Sequence, residues 1–379
     1  MPVLASVAAR LSDERPLAGT RVGACLHLTA ETAVLVAALR SAGAEVSICS
    51  ANPLSAQDDV AAALLADGVG VHGRRGDSFD QYEAGIATVA AESPDVVLDD
   101  GAELTLAAKP RLGGTEETTT GLLRLRRMAP EFPVLAANEA RTERALNDRH
   151  GTGQSALDGV VRASNVLLAG QTVVVLGYGW TGMGVAERAR GAGAAVIVCE
   201  IEPLAALEAR MAGYEVMPSL AAAERGDIFI TVTGSRAVIN GEHFARMKSG
   251  ALLANAGHFD VEIDLGELAA AAVEPPVTVR PLVDQYRMAD GRVLNLLARG
   301  RVVNLAAAEG HPAAVMDVSF ALQALSLEAL VSSPERFAPG VQPVPPEIDT
   351  EVGRLKLAAL GVELDRPTAE QERYRRAWG

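Results

Sequence analysis

Short apolar runs alternate with longer segments of helical period through the first 150 residues. Residues 21–26, 45–50, 69–72 and 96–98 read as buried strands, and 30–42, 57–67 and 81–91 as helices. That alternation predicts a parallel, doubly wound sheet whose ligands lie at the carboxyl ends of its strands. His27, Asn52 and Asp100 each fall just past such an end and form one candidate rim. In the second half, 173–176, 195–199, 228–232, 252–255, 293–297 and 302–305 read as strands of a second sheet. Residues 271–283, with Pro275 and Pro276, read as irregular, and 314–331 as a long apolar helix that returns to the first domain. A Pro-rich span, 337–348, a short amphipathic segment and a charged tail close the chain.

Two polar stretches break the pattern. GGTEETTTG (113–121) has no hydrophobic period; its threonines and glutamates suit either a helix cap or a ring of donors and acceptors around a polyol. NEARTERALNDRHG (138–151) reads as a short helix on which Glu143 and Asn147 share one face, Arg144 and Asp148 the next.

The chemistry is densest after the strand at 173–176. Gly177, Gly179 and Gly182 follow it in GxGxxG spacing, a helix runs to about residue 192, and a second apolar strand ends on Glu200. The first glycine permits the tight turn, and the second lets backbone N–H groups approach a pyrophosphate at the helix N-terminus. The third lets helix and strand pack closely. Glu200 is placed to accept from ribose hydroxyls and would repel a 2′-phosphate, so the expected cofactor is NAD rather than NADP.

Composition narrows the class. A chain of 379 residues predicts two domains, and 49% hydrophobic with 22% charged residues is a globular balance. A formal charge of −14 argues against a nucleic-acid partner. No apolar run reads as approaching the roughly 18 residues of a membrane span, and no signal-peptide pattern opens the chain, so the expectation is a cytoplasmic protein with no membrane partner. Cys25, Cys49 and Cys199 stand singly in apolar surroundings, which predicts neither a metal site nor a disulfide framework.

Six stretches, CLHLTAETAVL (25–35), LDDGAELT (98–105), EETTTG (116–121), NVLLAGQTVVVLGYGWTGMGVAERARGAGA (165–194), GHFDVEID (257–264) and GRVVNLAAAEGHP (300–312), resemble the S-adenosylhomocysteine hydrolases, or adenosylhomocysteinases. The resemblance implies an α/β protein of two doubly wound parallel-sheet domains, a Rossmann NAD domain (151–310) inserted into a substrate domain (1–150 and 311–358). It implies an adenine-nucleoside substrate and a homo-oligomer, a dimer or tetramer, with 359–379 as a tail that contacts a neighbouring subunit. The tail is shorter than the Lys- and Tyr-bearing extension with which many family members reach a neighbour's cofactor. In that family NAD⁺ oxidises the ribose 3′-hydroxyl, and the ketone acidifies C4′–H so that a group on C5′ is expelled; water adds, and the ketone is reduced again. By matching positions, His27, Asp100 and His258 act around C4′ and C5′, and Glu117 binds the ribose diol. Thr29, Glu31, His311, Met316 and Phe320 line the nucleoside pocket, with Asn52 on its rim. Cofactor contacts are implied for Thr118, Thr119, Thr120, Gly177, Gly179, Trp180, Thr181, Gly182, Glu200, Thr233, Gly234, Asn255, Ala256, Gly257, His258 and Asn304.

One motif departs. The family carries a lysine, and four residues on an aspartate followed by asparagine; here Glu143, Asn147 and Asp148 occupy those places. Arg144 restores a cation only in a shifted register, and a guanidinium stays protonated above pH 12 or so, so it is no base. Glu143, with Asn147 beside it, is the candidate to accept the 3′-hydroxyl proton, without the lysine's stabilisation of the alkoxide. Three functions follow: elimination of water from C5′, leaving a 4′,5′-alkene as in the angustmycin type of nucleoside antibiotic; hydrolysis of adenosylhomocysteine or a deaminated-base variant with a rewired base; or an NAD-binding regulatory protein without catalysis.

Overall fold

The computed structural model describes residues 1–257 and 260–377. The first half supplies β1 (Arg21–Leu26), β2 (Glu45–Ser50), β3 (Gly70–His72), β4 (Val96–Asp99), β5 (Gly113–Glu116) and β6 (Pro133–Ala136). The middle supplies β7 (Thr172–Leu176), β8 (Ala195–Cys199), β9 (Glu215–Val216), β10 (Ile228–Thr231), β11 (Leu252–Asn255), β12 (Val277–Arg280), β13 (Val283–Arg287) and β14 (Val293–Leu297). A late strand, β15 (Gly340–Pro343), returns to the first sheet beside β6. The first sheet runs β15-β6-β5-β4-β1-β2-β3 and is parallel throughout. The second runs β12-β13-β14-β11-β10-β7-β8-β9 and is mixed, because β12, β13 and β14 pair antiparallel.

The α/β class and the doubly wound wiring agree with the sequence pattern; several details do not. The second sheet is not parallel throughout, and the span read as irregular contains β12 and the first residue of β13. β12 is exposed along its length, so it shows no buried run. Residues 302–305 are not a strand: one bridge joins Asn255 to Val302, and Val303–Ala306 is a helical turn. β5 escapes pattern reading because Gly113, Gly114, Thr115 and Glu116 are all buried without an apolar side chain among them. The Pro-rich span hides β15, whose exposed-edge position tolerates proline. An N-terminal helix, Pro2–Glu14, was also not anticipated; it buries Val3, Leu4, Val7 and Leu11.

The return helix, Ala313–Ser332, is the spine of the first sheet's core. It is long and apolar enough to cross a bilayer, contrary to expectation, but 72% of its apolar window is buried inside the fold. It is apolar all round because it is packed all round, with Phe320, Leu322, Leu327 and Leu330 in the core. Its buried Asp317 accepts from Leu4 N at 2.9 Å and pairs with Lys356 Nζ at 3.1 Å, tying both chain ends to the spine. Removing one partner of such a pair strands a charge. Lys356→Met is therefore expected to cost about 3 kcal/mol in urea unfolding, and Lys356→Met with Asp317→Asn to recover much of it. Equal unfolding midpoints for wild type and Lys356→Met would refute this role.

Candidate active site

The carboxyl ends of both sheets open on one cavity of about 1370 Å³. From the first sheet come His27 after β1, Asp100 after β4 and Glu117 to Thr120 after β5. From the second come Gly177, Gly179, Trp180 and Thr181 after β7, Glu200 after β8, Thr233 and Gly234 after β10, and Ala256 and Gly257 after β11. Thr29, Glu31, Asn147, Asp148, Asn304, His311, Met316 and Phe320 complete the predicted lining.

Among the described residues, four of the predicted ones are not on that wall. Asn52 instead caps its own turn, its Oδ1 accepting from Leu54 N at 2.9 Å. Gly182 lies beneath the glycine loop, and Asn255 is fully buried, accepting from Gly257 N at 2.8 Å and donating to Gly300 O at 3.0 Å. Both support the wall from behind. Glu143 is buried as well, while His258 lies outside the described residues.

Charge in the cavity follows from burial. His27 Nε2 stands 3.2 Å from Asp100 Oδ2, and its Nδ1 meets Ser55 Oγ at 2.5 Å. Burial pushes the His27 pKa down, but the Asp100 carboxylate outweighs it and the net shift is upward. His311, with Thr152 Oγ1 2.9 Å from its Nε2, is pushed down to about 4 by burial and then by the charge on His27. Glu117 accepts a short hydrogen bond from Ser319, yet burial and the charge of Asp100 raise it to about 7. Burial likewise raises Asp148 to about 7, against Arg144 and Asn138.

Glu143, Asn147 and Asp148 ride on a ten-residue π-helix, Glu143–Thr152. Such helices are rare and cluster at functional sites. Its wider turn puts Arg144, Asn147 and Asp148 on the cavity wall and turns Glu143 inward, 1% exposed. Neither Glu143 oxygen has a hydrogen bond of ordinary geometry. Burial and then the Glu117 charge raise its pKa well above the carboxylate range, with Ser319 and Asn147 close enough to offset part of that.

The second sheet's glycine loop fits a dinucleotide. Gly177 has φ +104°, a Cβ on Gly182 would sit 2.1 Å from Gly177 O, and a Cβ on Gly179 would project into open space. The helix Trp180–Gly191 begins there, aiming unpaired N–H groups at the cavity. The model of the S-adenosyl-L-homocysteine hydrolase NAD-binding domain matches residues 148–310, and that of S-adenosyl-L-homocysteine hydrolase matches 1–113. S-inosyl-L-homocysteine hydrolase of Methanopyrus kandleri is 52% identical over 390 residues, covering 100% of this chain and 92% of that protein. The adenosylhomocysteinases of Aquifex aeolicus and Gloeobacter violaceus are 51% and 48% identical, each over 391 residues, with 100% of this chain and 93% and 91% of theirs covered. The chain belongs to the S-adenosyl-L-homocysteine hydrolase family.

NAD is accordingly the cofactor. Several residues of this adenosylhomocysteinase-family site escaped sequence reading. Glu262 is buried and accepts from Thr233 N, Thr233 Oγ1 and Gly234 N at 2.9, 2.7 and 2.8 Å, fixing the loop beyond β10. Its only signal was its place in the 257–264 motif. Ser319 and Gln323 face the acids from the return helix, where an apolar period masks them.

Two outcomes are expected. Gly182→Ala forces its loop apart and should weaken NAD binding at least tenfold in calorimetry, with the far-UV spectrum unchanged. In ligand-free protein, the His27 imidazole should titrate above its ordinary value by NMR, and Asp100→Asn should lower that midpoint, because only the Glu117 charge then opposes burial. An unmoved midpoint would remove Asp100 as the controlling charge.

Proposed function

We propose that this chain oxidises the 3′-hydroxyl of an adenine nucleoside and expels its 5′ substituent as water, leaving a 4′,5′-alkene before the ketone is reduced again. The observation that carries the reading is the pairing of an altered 3′ end with an intact 5′ end. Glu143, buried beside Glu117, stands where the family has a lysine, while His27 and Asp100 remain paired in the cavity.

Bound NAD supplies a reversible two-electron oxidation of a secondary alcohol, recovered within each turnover. The residues that fit it are the Gly177–Gly182 turn, Glu200, Thr233 and Gly234, with Thr118 to Thr120 facing them across the cavity. Glu117, backed by Glu143, takes the 3′-hydroxyl proton; with its pKa raised to about 7 it both takes and returns a proton near neutrality. A C4′–H bond next to a ketone is acidic enough for a carboxylate, and Asp100 supplies one. As the C4′–H bond breaks, its electron pair forms C4′=C5′ and the C5′–O bond breaks. Hydroxide is a poor leaving group, so that oxygen needs a proton; His27, whose hold on a proton the Asp100 carboxylate strengthens, donates it. The sum is loss of one water. His311, neutral at pH 7, does not compete as an acid.

A second reading, hydrolysis of S-adenosyl- or S-inosylhomocysteine with a rewired base, is favoured by the 52% and 51% identity to proteins with those names. In either case a homo-oligomer in the cytoplasm is our expectation from the family resemblance. Incubation with adenosine, a ketohexose adenine nucleoside and both thioethers, followed by mass spectrometry, separates the two. The first reading expects a product lighter by one water and poor thioether cleavage. Glu143→Gln, which keeps the shape and loses the proton, should slow cofactor reduction by roughly 10²-fold or more with NAD content unchanged. Restoring the family pattern (Glu143→Lys, Asn147→Asp, Asp148→Asn) should raise thioether hydrolysis. Wild-type thioether hydrolysis at roughly 1–10³ s⁻¹ would replace the first reading by the second.

A further inference from the structure

We infer that Ser319 is a positioning and proton-relay residue that joins Glu117, on the cavity wall, to Glu143 behind it. The inference rests on the proposed oxidation at C3′ for its catalytic meaning.

The geometry starts from an anomaly. Buried carboxyls almost always have hydrogen-bond partners, yet Glu143 is 1% exposed and neither oxygen has a hydrogen bond of ordinary geometry, although Ser319 and Asn147 are close by. It does not line the cavity, so its route to a substrate runs through a neighbour. Ser319, itself 1% exposed on the return helix, donates to Glu117 Oε1 and also stands beside Glu143. A hydroxyl has one proton to give and lone pairs to receive. With Glu117 ionised and Glu143 neutral, Ser319 donates to the first and is placed to accept from the second.

Proton movement along this line balances simply. The Glu143 O–H bond breaks as its proton passes to Ser319 Oγ, and the Ser319 O–H bond breaks as its proton passes to Glu117. The negative charge moves from Glu117 to Glu143, and no electrons change hands between residues. Glu117 thereby becomes an acid able to return a proton to the 3′ oxygen, with the charge stored out of the cavity. The charged and titratable groups facing the pair are Asp100 and His27 at Glu117, and Asp148, itself beside Arg144, at Glu143. Gln323 also stands beside Glu117, and Asn147 flanks Glu143, so the pair keeps polar neighbours when Ser319 is changed.

Ser319→Ala tests this, since alanine suits a buried helix position. Without the donor, ionised Glu117 loses a charge-assisted bond, so the pH midpoint of cofactor reduction should rise by about one unit, with about a tenfold loss at pH 7 that recovers at higher pH. In the Glu143→Gln background the same substitution should add little. Infrared spectra of ligand-free protein read the pair without turnover: a neutral carboxyl band should vanish in Glu143→Gln and shift in Ser319→Ala. A rate loss equal at every pH, an unchanged profile, or a band indifferent to Ser319→Ala would overturn the relay. If no nucleoside reduces the cofactor in wild type while the infrared coupling is present, the reaction reading fails and the hydrogen-bonded pair stands.

Discussion

The in-register pairing of β4 with β5 sets Asp99 directly beside Glu116, and the rest of the site depends on it. Each strand ends in an acidic doublet whose first member points into the core and whose second enters the cavity. Asp99 accepts from Asp100 N at 3.0 Å and Thr105 N at 2.6 Å. Glu116 Oε1 accepts from Gly101 N, Thr118 N and Thr118 Oγ1 at 2.9, 2.8 and 2.6 Å. The inner acids therefore hold the backbone that presents Asp100, Glu117 and Thr118. A one-residue slip of either strand would exchange the two sets.

The second half of the site is organised by close helix packing. The π-helix lies against the helix that opens the dinucleotide fingerprint, with an Arg149–Glu187 ion pair between them. One segment thus carries Asn147 and Asp148 into the cavity and touches the helix on which the cofactor's phosphates are expected to rest. The π-helix wall of the cavity and the glycine-loop helix are packed directly on one another.

Much of this was legible in the chain. The β7–helix–β8 unit with Gly177, Gly179, Gly182 and Glu200 was readable because each position answers a local steric or electrostatic demand. His27 and Asp100 were readable because ligands gather past strand ends in a parallel sheet. β5 and β15 were not, since β5 is stabilised by buried backbone and acid hydrogen bonding, and β15 is an edge strand that tolerates proline. The inward turn of Glu143 was also hidden: α-helical spacing groups residues i and i+4, and a π-helix redistributes them. Ser319 and Glu262 matter through partners 202 and 29 residues away, distances at which local pattern carries no signal.

The concentration of acids has a thermodynamic consequence that ties fold to function. Asp99, Glu117 and Asp148 are each raised to about 7, and burial also raises Glu116 and Glu143 well above the carboxylate range. For a group whose folded pKa lies above its unfolded value, the stabilisation is complete below the unfolded value, near 4, and is lost as pH rises through the folded value. These five groups therefore work against the fold as pH rises from about 4 toward neutrality. A site selected for stability alone would not hold them. The protein accepts this cost around one cavity, at the ends of β4 and β5 and on the π-helix, where carboxyls poised near neutrality are suited to taking up and releasing a proton.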